Sequence, residues 1–291
     1  MSTEDRYIPG VPCWIDTMQP DPDAAVAFYG DLFGWEYEDV MPAGSPGKYY
    51  IARIRGGDVA AISSQPDGAP PSPAWNTYIW VESVDATAEK VRAAGGGVVM
   101  EPGDVMEAGR MAVFTDPEGA AFSVWQPKRH RGATVVNEHG ALNFNTLNTR
   151  DLEAARAFYG AVFGWDLIDV GGAAWWALPA YGDFLEARTP GMRENMERMG
   201  APARFQEVVA TALPLTDDAP AHWSITFAVD DADAIAARAP ELGGRVLVPP
   251  FDAPWVRMTV VADPQGATFV ASKFVPENKD LGQPTGATSA A

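Results

Sequence analysis

The sequence predicts an α+β fold made of two tandem copies, each holding two strand–helix–strands modules. Three observations predict it. The block Phe28-Tyr29-Gly30-Asp31-Leu32-Phe33-Gly34-Trp35 returns 130 positions later as Phe158-Tyr159-Gly160-Ala161-Val162-Phe163-Gly164-Trp165. Met111 to Gly119 (MAVFTDPEG) returns 147 positions later as Met258 to Gly266 (MTVVADPQG). Around both blocks the apolar spacing switches between the three-and-four pattern of helices and the alternation of strands. Two blocks returning in order mean duplication. The growth of the offset by 17 positions puts an insertion of about that size in the second copy, between the blocks.

Each element has a local cause. Trp14 to Met18 alternates as a strand. Asp21 or Pro22 opens a helix whose Ala25, Phe28, Tyr29, Leu32 and Phe33 recur at helical spacing, and Gly34 is placed to stop it in the left-handed region. Strand-like runs follow, among them Tyr49 to Arg55. Thr77 to Val81 leads as a strand into a helix from Asp85 to Ala94. Gly97 to Met100, Met111 to Thr115 and Ala120 to Trp125 close the copy as strands, with Asp116-Pro117-Glu118-Gly119 as the last turn. The second copy repeats the series through Phe144 to Asn148, a helix from Asp151 to Gly164, Ser224 to Val229 and a helix from Asp233 to Leu242. It ends in strands up to Ser272 around Asp263-Pro264-Gln265-Gly266. Gly95-Gly96-Gly97 and Gly243-Gly244 follow helices instead of opening them, the wrong end for an anion, and read as helix stops. The expected domains are 11–127 and 138–275, joined by a polar linker from about Pro127 to Gly140. The tail 276–291, rich in Gly, Pro, Thr and Ser, is expected to be disordered. Whether modules pair within a copy or across copies is left open.

Composition bounds the function. The 291 residues suffice for two domains of roughly 100 to 150 residues, each with its own core. No run approaches the ~20 apolar residues of a membrane span, and Met1 to Gly10 lacks the apolar stretch of a signal peptide. The lone Cys13, read as a small buried hydrophobe ahead of a nucleophile, excludes an internal disulfide. A cytoplasmic protein is expected. A formal charge of −18 disfavours nucleic acid and anionic membrane as partners. Since the tandem chain already supplies four modules, a monomer is expected ahead of a homodimer.

The helices Asp21 to Phe33 and Asp151 to Phe163, with the turns Asp116-Pro117-x-Gly119 and Asp263-Pro264-x-Gly266, resemble the vicinal oxygen chelate superfamily over about residues 11 to 275. This superfamily includes glyoxalases, extradiol dioxygenases and bleomycin-binding proteins. Trp75-Asn76-Thr77-Tyr78-Ile79, Arg129-His130-Arg131-Gly132-Ala133 and His222-Trp223 resemble its double-domain subgroup, often labelled hydroxylases or glyoxalase-like proteins. The resemblance implies βαβββ modules forming concave mixed sheets around a pocket, on which lyases, oxygenases, isomerases, transferases and pure binders all occur. Metal-dependent members carry their ligands at positions that correspond here to Trp14, Asn76 and Ser123 in the first copy and Phe144, Ser224 and Val270 in the second. None is a good ligand for a divalent cation, and the chain has only His130, His139 and His222 as histidines. No metal and no other cofactor is expected.

On that resemblance, side chains of matching strand parity line the pocket: Trp14, Asp16, Asn76, Tyr78, Trp80, Ser123 and Trp125 in the first copy, and Phe144, Thr146, His222, Ser224 and Thr226 in the second. Aromatic walls with a few polar groups suit a flat organic ligand; alternatively the rings fill a smaller core. Asp16, mid-strand, is costly unless hydrogen-bonded or bound to ligand. Desolvation would suit it to general acid or base work, while a structurally satisfied acid is the alternative. Its counterpart is Thr146. His222, whose counterpart is Ala74, is the second proton-transfer candidate, or a structural histidine. Within about Thr189 to Asp218 the insertion carries Met192, Met196, Met199, Phe205, Val208, Val209 and Leu213 at largely helical spacing. That pattern predicts two short amphipathic helices, serving as a lid, a covering element or a dimer contact.

Three functions are compatible with these residues. One is a metal-independent enzyme acting on a small aromatic or polyketide-like molecule of specialised metabolism, with Asp16 or His222 moving a proton. Another is a non-catalytic protein that sequesters such a molecule. The third is a metal-dependent glyoxalase-type lyase or dioxygenase with unorthodox ligands.

Overall fold

The computed structural model describes residues 6–66, 68, 73–170, 172–215 and 218–281. The first copy runs β1 (Pro12–Gln19), α1 (Pro22–Phe33), β2 (Glu36–Asp39), β3 (Tyr49–Ile54), β4 (Gly57–Ser64), β5 (Trp75–Trp80), α2 (Val84–Ala93), β6 (Gly97–Val105), β7 (Gly109–Thr115) and β8 (Ala121–Pro127). The second begins with β9 (Ala141–Thr149), α3 (Leu152–Phe163), β10 (Asp166–Val170), β11 (Ala173–Ala177), α4 (Pro179–Arg188), α5 (Met192–Arg198) and β12 (Val208–Pro214). It ends with β13 (His222–Ala228), α6 (Ala232–Glu241), β14 (Arg245–Ala253), β15 (Val256–Ala262) and β16 (Thr268–Phe274). Each copy forms one eight-stranded mixed sheet, ordered β2-β3-β4-β1-β5-β8-β7-β6 in the first and β10-β11-β12-β9-β13-β16-β15-β14 in the second. No helix among the described residues is long and apolar enough to cross a membrane.

Helix ends follow the signals in the sequence. Asp21 caps α1 by accepting the Ala24 amide at 3.0 Å, and Asp151 caps α3 by accepting the Ala154 amide at 2.9 Å. Each cap contributes about 1 kcal/mol. Gly34 and Gly164 end the two helices at φ 72° and 73°.

Compactness divides the chain differently from the repeat. One unit holds residues 1–13, 78–132 and 144–223, and the other holds 14–77, 133–143 and 224–291. Each unit thus combines parts of both copies. In the first unit, Val91, Phe114 and Phe122 of copy one share a core with Phe158, Tyr159, Trp165 and Trp176 of copy two. At its centre Asp116 accepts the Tyr159 hydroxyl at 3.1 Å, and that hydroxyl accepts Trp223 Nε1 at 3.0 Å. The other Asp116 oxygen takes the amides of Glu118 and Ala120 at 3.0 and 2.9 Å.

The second unit repeats this lock with the copies exchanged. Asp263 accepts the Tyr29 hydroxyl at 3.1 Å and Gln19 Nε2 at 2.9 Å, and Trp75 Nε1 donates to the Tyr29 oxygen at 3.1 Å. The amides of Gln265, Gly266 and Ala267 satisfy the other Asp263 oxygen. In each unit, then, the Asp-Pro turn of one copy holds the helix tyrosine of the other. The two recurring sequence blocks are each other's partners. A buried carboxylate is tolerable here because it is met by several donors.

Three sequence readings change. The insertion lies between β11 and β12, at 178–207, where the first copy has only Arg55 and Gly56 between β3 and β4. Its first helix, α4, therefore begins at Pro179 and not after Thr189, and Val208 to Leu213 form a strand because β9 and β11 flank it on either side. The tail is ordered at its start: Pro276 to Asn278 form a 3-10 turn, and Asn278 Nδ2 donates to Asp252 and to the Val256 carbonyl at 3.1 Å each. The rest of that tail, 282–291, lies outside the described residues. Of the glycines read as stops, Gly95 ends α2 at φ +87°, whereas a Cβ on Gly96 would sit 2.6 Å from the Thr115 carbonyl and 2.7 Å from Phe158. Gly96 serves close packing.

Candidate functional site

In the second unit, β1 turns Ile15 into the core shared with α1 and Trp14 and Asp16 to the opposite face. Asp16 stands opposite Ala61 of β4, which stands opposite Ile51 of β3. Tyr49, two residues before Ile51, shares that face. The Asp16 carboxylate, 3% exposed, accepts Tyr49 O–H at 3.1 Å on Oδ2 and Asn76 Nδ2 at 2.9 Å on Oδ1. Trp14 Nε1 donates to the Tyr49 oxygen at 3.2 Å. The chain of donors runs Trp14 to Tyr49 to Asp16. Burial, and then the Asp16 charge, push the Tyr49 phenol well above its ordinary value, so it stays a proton donor at neutral pH. Ser224 and Thr226 are buried on β13, with Thr226 opposite Val270 of β16.

The first unit holds the remaining predicted residues. Tyr78 is register partner to Ser123, and Trp80 to Trp125, across the parallel β5–β8 pair. The Tyr78 and Trp125 rings meet edge to face at 6.5 Å, and Trp125 Nε1 donates to the His130 carbonyl at 2.8 Å. Gly109 makes room for that indole, since a Cβ there would lie 2.3 Å from Trp125 Cζ2. On β9, Thr146 pairs hydroxyl to hydroxyl with Thr211 at 2.7 Å, and Phe144 packs edge-on against Trp175 at 5.4 Å. His222 is half-buried, with Nδ1 2.8 Å from the Pro220 carbonyl; that carbonyl requires the proton on Nδ1. Burial pushes the Cys13 thiol up, which leaves it unreactive. The first unit also has a cleft of about 430 Å³ beside α2 and the end of α3, lined by Glu82, Ser83, Lys90 and Gly164 among others, and by none of the predicted site residues.

Trp14, Asp16 and Asn76 were expected on one pocket face with Tyr78, Trp80, Ser123 and Trp125; the first three gather around Tyr49 and the Asp16 carboxylate in the second unit, and the other four belong to the first unit. Tyr49, Trp175 and Thr211 were not placed at a site, and Phe205 was read only as part of the inserted lid, covering or dimer-contact segment. A mid-strand acid needs donors, and Tyr49 and Tyr50 were the signal for one; only the β3–β4 register tells which of them faces Asp16. The resemblance raises the question of a metal. Among the described residues no three His, Cys, Asp or Glu side chains gather as a ligand set, and Asp16 is the one carboxylate among Trp14, Tyr49 and Asn76. These residues do not fit a divalent cation.

Two eight-stranded mixed sheets, each from a doubled strand–helix–strands module, define the class of tandem α+β sheet proteins. The profile of the Glyoxalase/Bleomycin resistance protein/Dioxygenase superfamily matches residues 14–124 and 141–270, and the chain belongs to that superfamily. "Putative glyoxylase CFP32" of Mycobacterium tuberculosis is 42% identical over 280 residues, covering 95% of this chain and 100% of the relative. "Anthracycline biosynthesis protein DnrV" of Streptomyces peucetius is 36% identical over 279 residues, covering 91% and 93%. Among solved structures, the Mn(II)-bound glyoxalase from Novosphingobium aromaticivorans aligns with TM-score 0.59 at 17% identity, covering 91% of this chain and 83% of that one. The 2,3-dioxygenase LapB from Pseudomonas sp. KL28 aligns with TM-score 0.55 at 14% identity, covering 92% and 93%. Likeness at such identities shows the fold alone.

Proposed function

We propose that this protein is a metal-independent enzyme acting on a small aromatic or polyketide-like molecule of specialised metabolism, with Asp16 as the proton-transfer group. The observation that carries the reading is the Asp16 carboxylate, buried on the sheet face away from the core and fixed by Tyr49 and Asn76. Relatedness along most of the chain to a protein named for anthracycline biosynthesis supports the ligand class. Asn76 and Tyr49 hold the carboxylate plane. Asp16 takes a proton from a ligand hydroxyl or from a carbon made acidic by a neighbouring carbonyl, and returns it elsewhere on the same molecule. Tyr49 keeps its own proton throughout and steadies the charge on Asp16. A positioned general base of this kind contributes about 10²–10⁴-fold to rate.

The test is turnover of a panel of aromatic polyketides, read by mass spectrometry, with wild type, Asp16→Asn and chelator-treated protein. Conversion that survives the chelator and falls at least a hundredfold in Asp16→Asn is the expected result. Loss of turnover on chelation returns a metal-dependent lyase or dioxygenase to first place, and an unchanged rate in Asp16→Asn removes Asp16 from the chemistry. Sequestration is the second reading, favoured by the face of the second copy, where the row Ile168, Trp175, Thr211, Thr146 carries no ionisable side chain. Saturable binding without conversion would select it.

A further inference from the structure

Each unit has one matching junction, where a residue followed by glycine passes between the start of one helix and the end of another. In the first unit the Gly10 amide donates to the Trp80 carbonyl at 2.9 Å, and Trp165 Nε1 donates to the Gly10 carbonyl at 2.7 Å. In the second the Gly140 amide donates to the Ala228 carbonyl at 2.8 Å, and Trp35 Nε1 donates to the Gly140 carbonyl at 2.8 Å. These paired bonds make Pro9 the counterpart of His139, Glu82 of Asp230, Lys90 of Arg238 and Phe163 of Phe33. The two junctions are filled differently.

In the second unit the imidazole of His139 occupies the junction. Its Nδ1 accepts the Asp230 amide at 3.1 Å, which requires that nitrogen to be unprotonated, and its ring meets Phe33 edge to face at 6.3 Å and 80°. Phe33 is left buried, at 5% exposed. In the first unit Pro9 offers no such acceptor, and the space is the cleft of about 430 Å³ between α2 and the end of α3. There the Glu82 amide, equivalent to the one His139 meets, has no hydrogen bond among the described residues, and Phe163 stands half-buried. Arg238 is held by Glu241 at 2.8 Å. Its counterpart Lys90, which has Ala93 in the place of that acid, lines the cleft without an ion pair among the described residues.

We propose that this cleft of the first unit is a binding site for a small imidazole-type molecule bearing an acidic tail, whose ring takes the place that the His139 ring takes in the second unit. One ring nitrogen accepts the Glu82 amide, and the ring stands edge-on to Phe163, an arrangement aromatic pairs favour. The Glu82 carboxylate is the counterpart of the Asp230 carboxylate, which lies 3.7 Å from His139 Nδ1, and it accepts the proton of the other ring nitrogen. One acceptor and one donor on a neutral five-membered ring are what imidazole provides and a benzene ring lacks. The tail is assigned by Lys90. In a chain of net charge −18, an unpaired ammonium on a cleft wall attracts an anion, and a carboxylate meets it in a charge-assisted hydrogen bond.

The walls are set by the chain itself. A Cβ on Gly10 would lie 3.2 Å from the Phe163 carbonyl, so the Pro9-Gly10 segment runs close against the end of α3. The first amides of α2 are already taken: Val84 donates to Gln126 Oε1 at 3.0 Å and Ala86 to Ser83 Oγ at 3.2 Å. The tail therefore goes to Lys90 and not to the helix start. Ser83 and Lys90 lie seven residues apart on one face of α2, about 10 Å along its axis, which leaves room for a ring at one end and a short tail toward the other.

The test is titration of the full chain with imidazoleacetate at about pH 8.5, where an imidazole ring is neutral, followed by calorimetry and by the ligand's own NMR signals. Saturable binding is expected, with phenylacetate, which has the tail without the nitrogens, about tenfold weaker. Pro9→His gives the first unit the ring of the second and should abolish binding. Lys90→Ala should weaken it about threefold, as for an exposed ion pair. Ala86→Phe, at an exposed position of the same wall, should block the cleft too and serves where Pro9→His melts early. Absence of saturable binding by wild type overturns the proposal. So does equal affinity for phenylacetate, or wild-type affinity in folded Pro9→His and Ala86→Phe. Because the readout is binding and no residue of the Asp16 cluster lines this cleft, failure here is separable from failure of the proton-transfer reading.

Discussion

Asp116 shows how much one side chain carries. It is nearly inaccessible, and its carboxyl is pushed above the ordinary aspartate range by burial, against the lowering effect of the Ala120 amide, the Tyr159 hydroxyl and the Glu118 amide. The folded chain therefore holds this proton more tightly than the unfolded chain. Its contribution to stability is complete below the unfolded value of about 3.9 and is lost as pH rises through the raised folded value. Asparagine has no proton to lose. The stability advantage of wild type over Asp116→Asn should accordingly be largest in acid and shrink toward neutral pH in paired urea melts; an advantage that grows with pH would contradict the shift. The residue scale is also where the sequence was clearest about Asp16 and silent about its partner. An acid inside an apolar alternation is visible in one strand, whereas Tyr49 reaches it from β3 through a register of Tyr49 with Ser63 that no single strand reveals. The same holds for Thr211, which meets Thr146 only because β12 lies beside β9.

Elements were legible where their signals are local. The caps Asp21 and Asp151, the stops Gly34 and Gly164, and the two Asp-Pro turns all work through neighbours a few residues away. The insertion was misread because its signals are not local: α4 has almost no apolar stripe, and the Val208, Val209 and Leu213 spacing fits helix and strand alike until β9 and β11 settle it. Gly95 and Gly96 divide in the same way. Gly95 has open space around its Cβ position and needs glycine only for φ +87°, so alanine should cost about 1–2 kcal/mol. Gly96 faces the Thr115 backbone carbonyl, Phe158 and Val91 Cγ1 at 2.6 to 2.8 Å, and a carbonyl inside a strand cannot step aside. Gly96→Ala should therefore cost about 3 kcal/mol or more, by overpacking. Chemical denaturation of the two variants decides, and equal losses would mean that both glycines serve only the helix stop.

At the scale of the whole molecule the repeat announced duplication but not partnership, because identical blocks carry no record of which copy they touch. In the first unit Phe122 of copy one packs on Phe158 and Tyr159 of copy two at 6.1 and 5.8 Å. In the second unit Phe33 and Trp35 of copy one pack on Phe227 of copy two at 5.0 and 5.6 Å. A copy expressed alone would present these rings to water at about 1.5–3 kcal/mol each, and would leave Asp116 or Asp263 without its tyrosine. Three such rings in each copy, together about 5–9 kcal/mol, are comparable to the roughly 5–15 kcal/mol by which a domain is stable. A chain cut after Gly132 should thus yield fragments 1–132 and 133–291 that show no cooperative unfolding separately and recover it when mixed. Should each fragment melt cooperatively by itself near the intact protein's temperature, each copy would be a self-sufficient domain and the crossed tyrosine–aspartate locks would be incidental to folding. The expected outcome makes them the reason both sequence blocks recur together, since a change in either the helix tyrosine or the turn aspartate of one copy is felt first in the other.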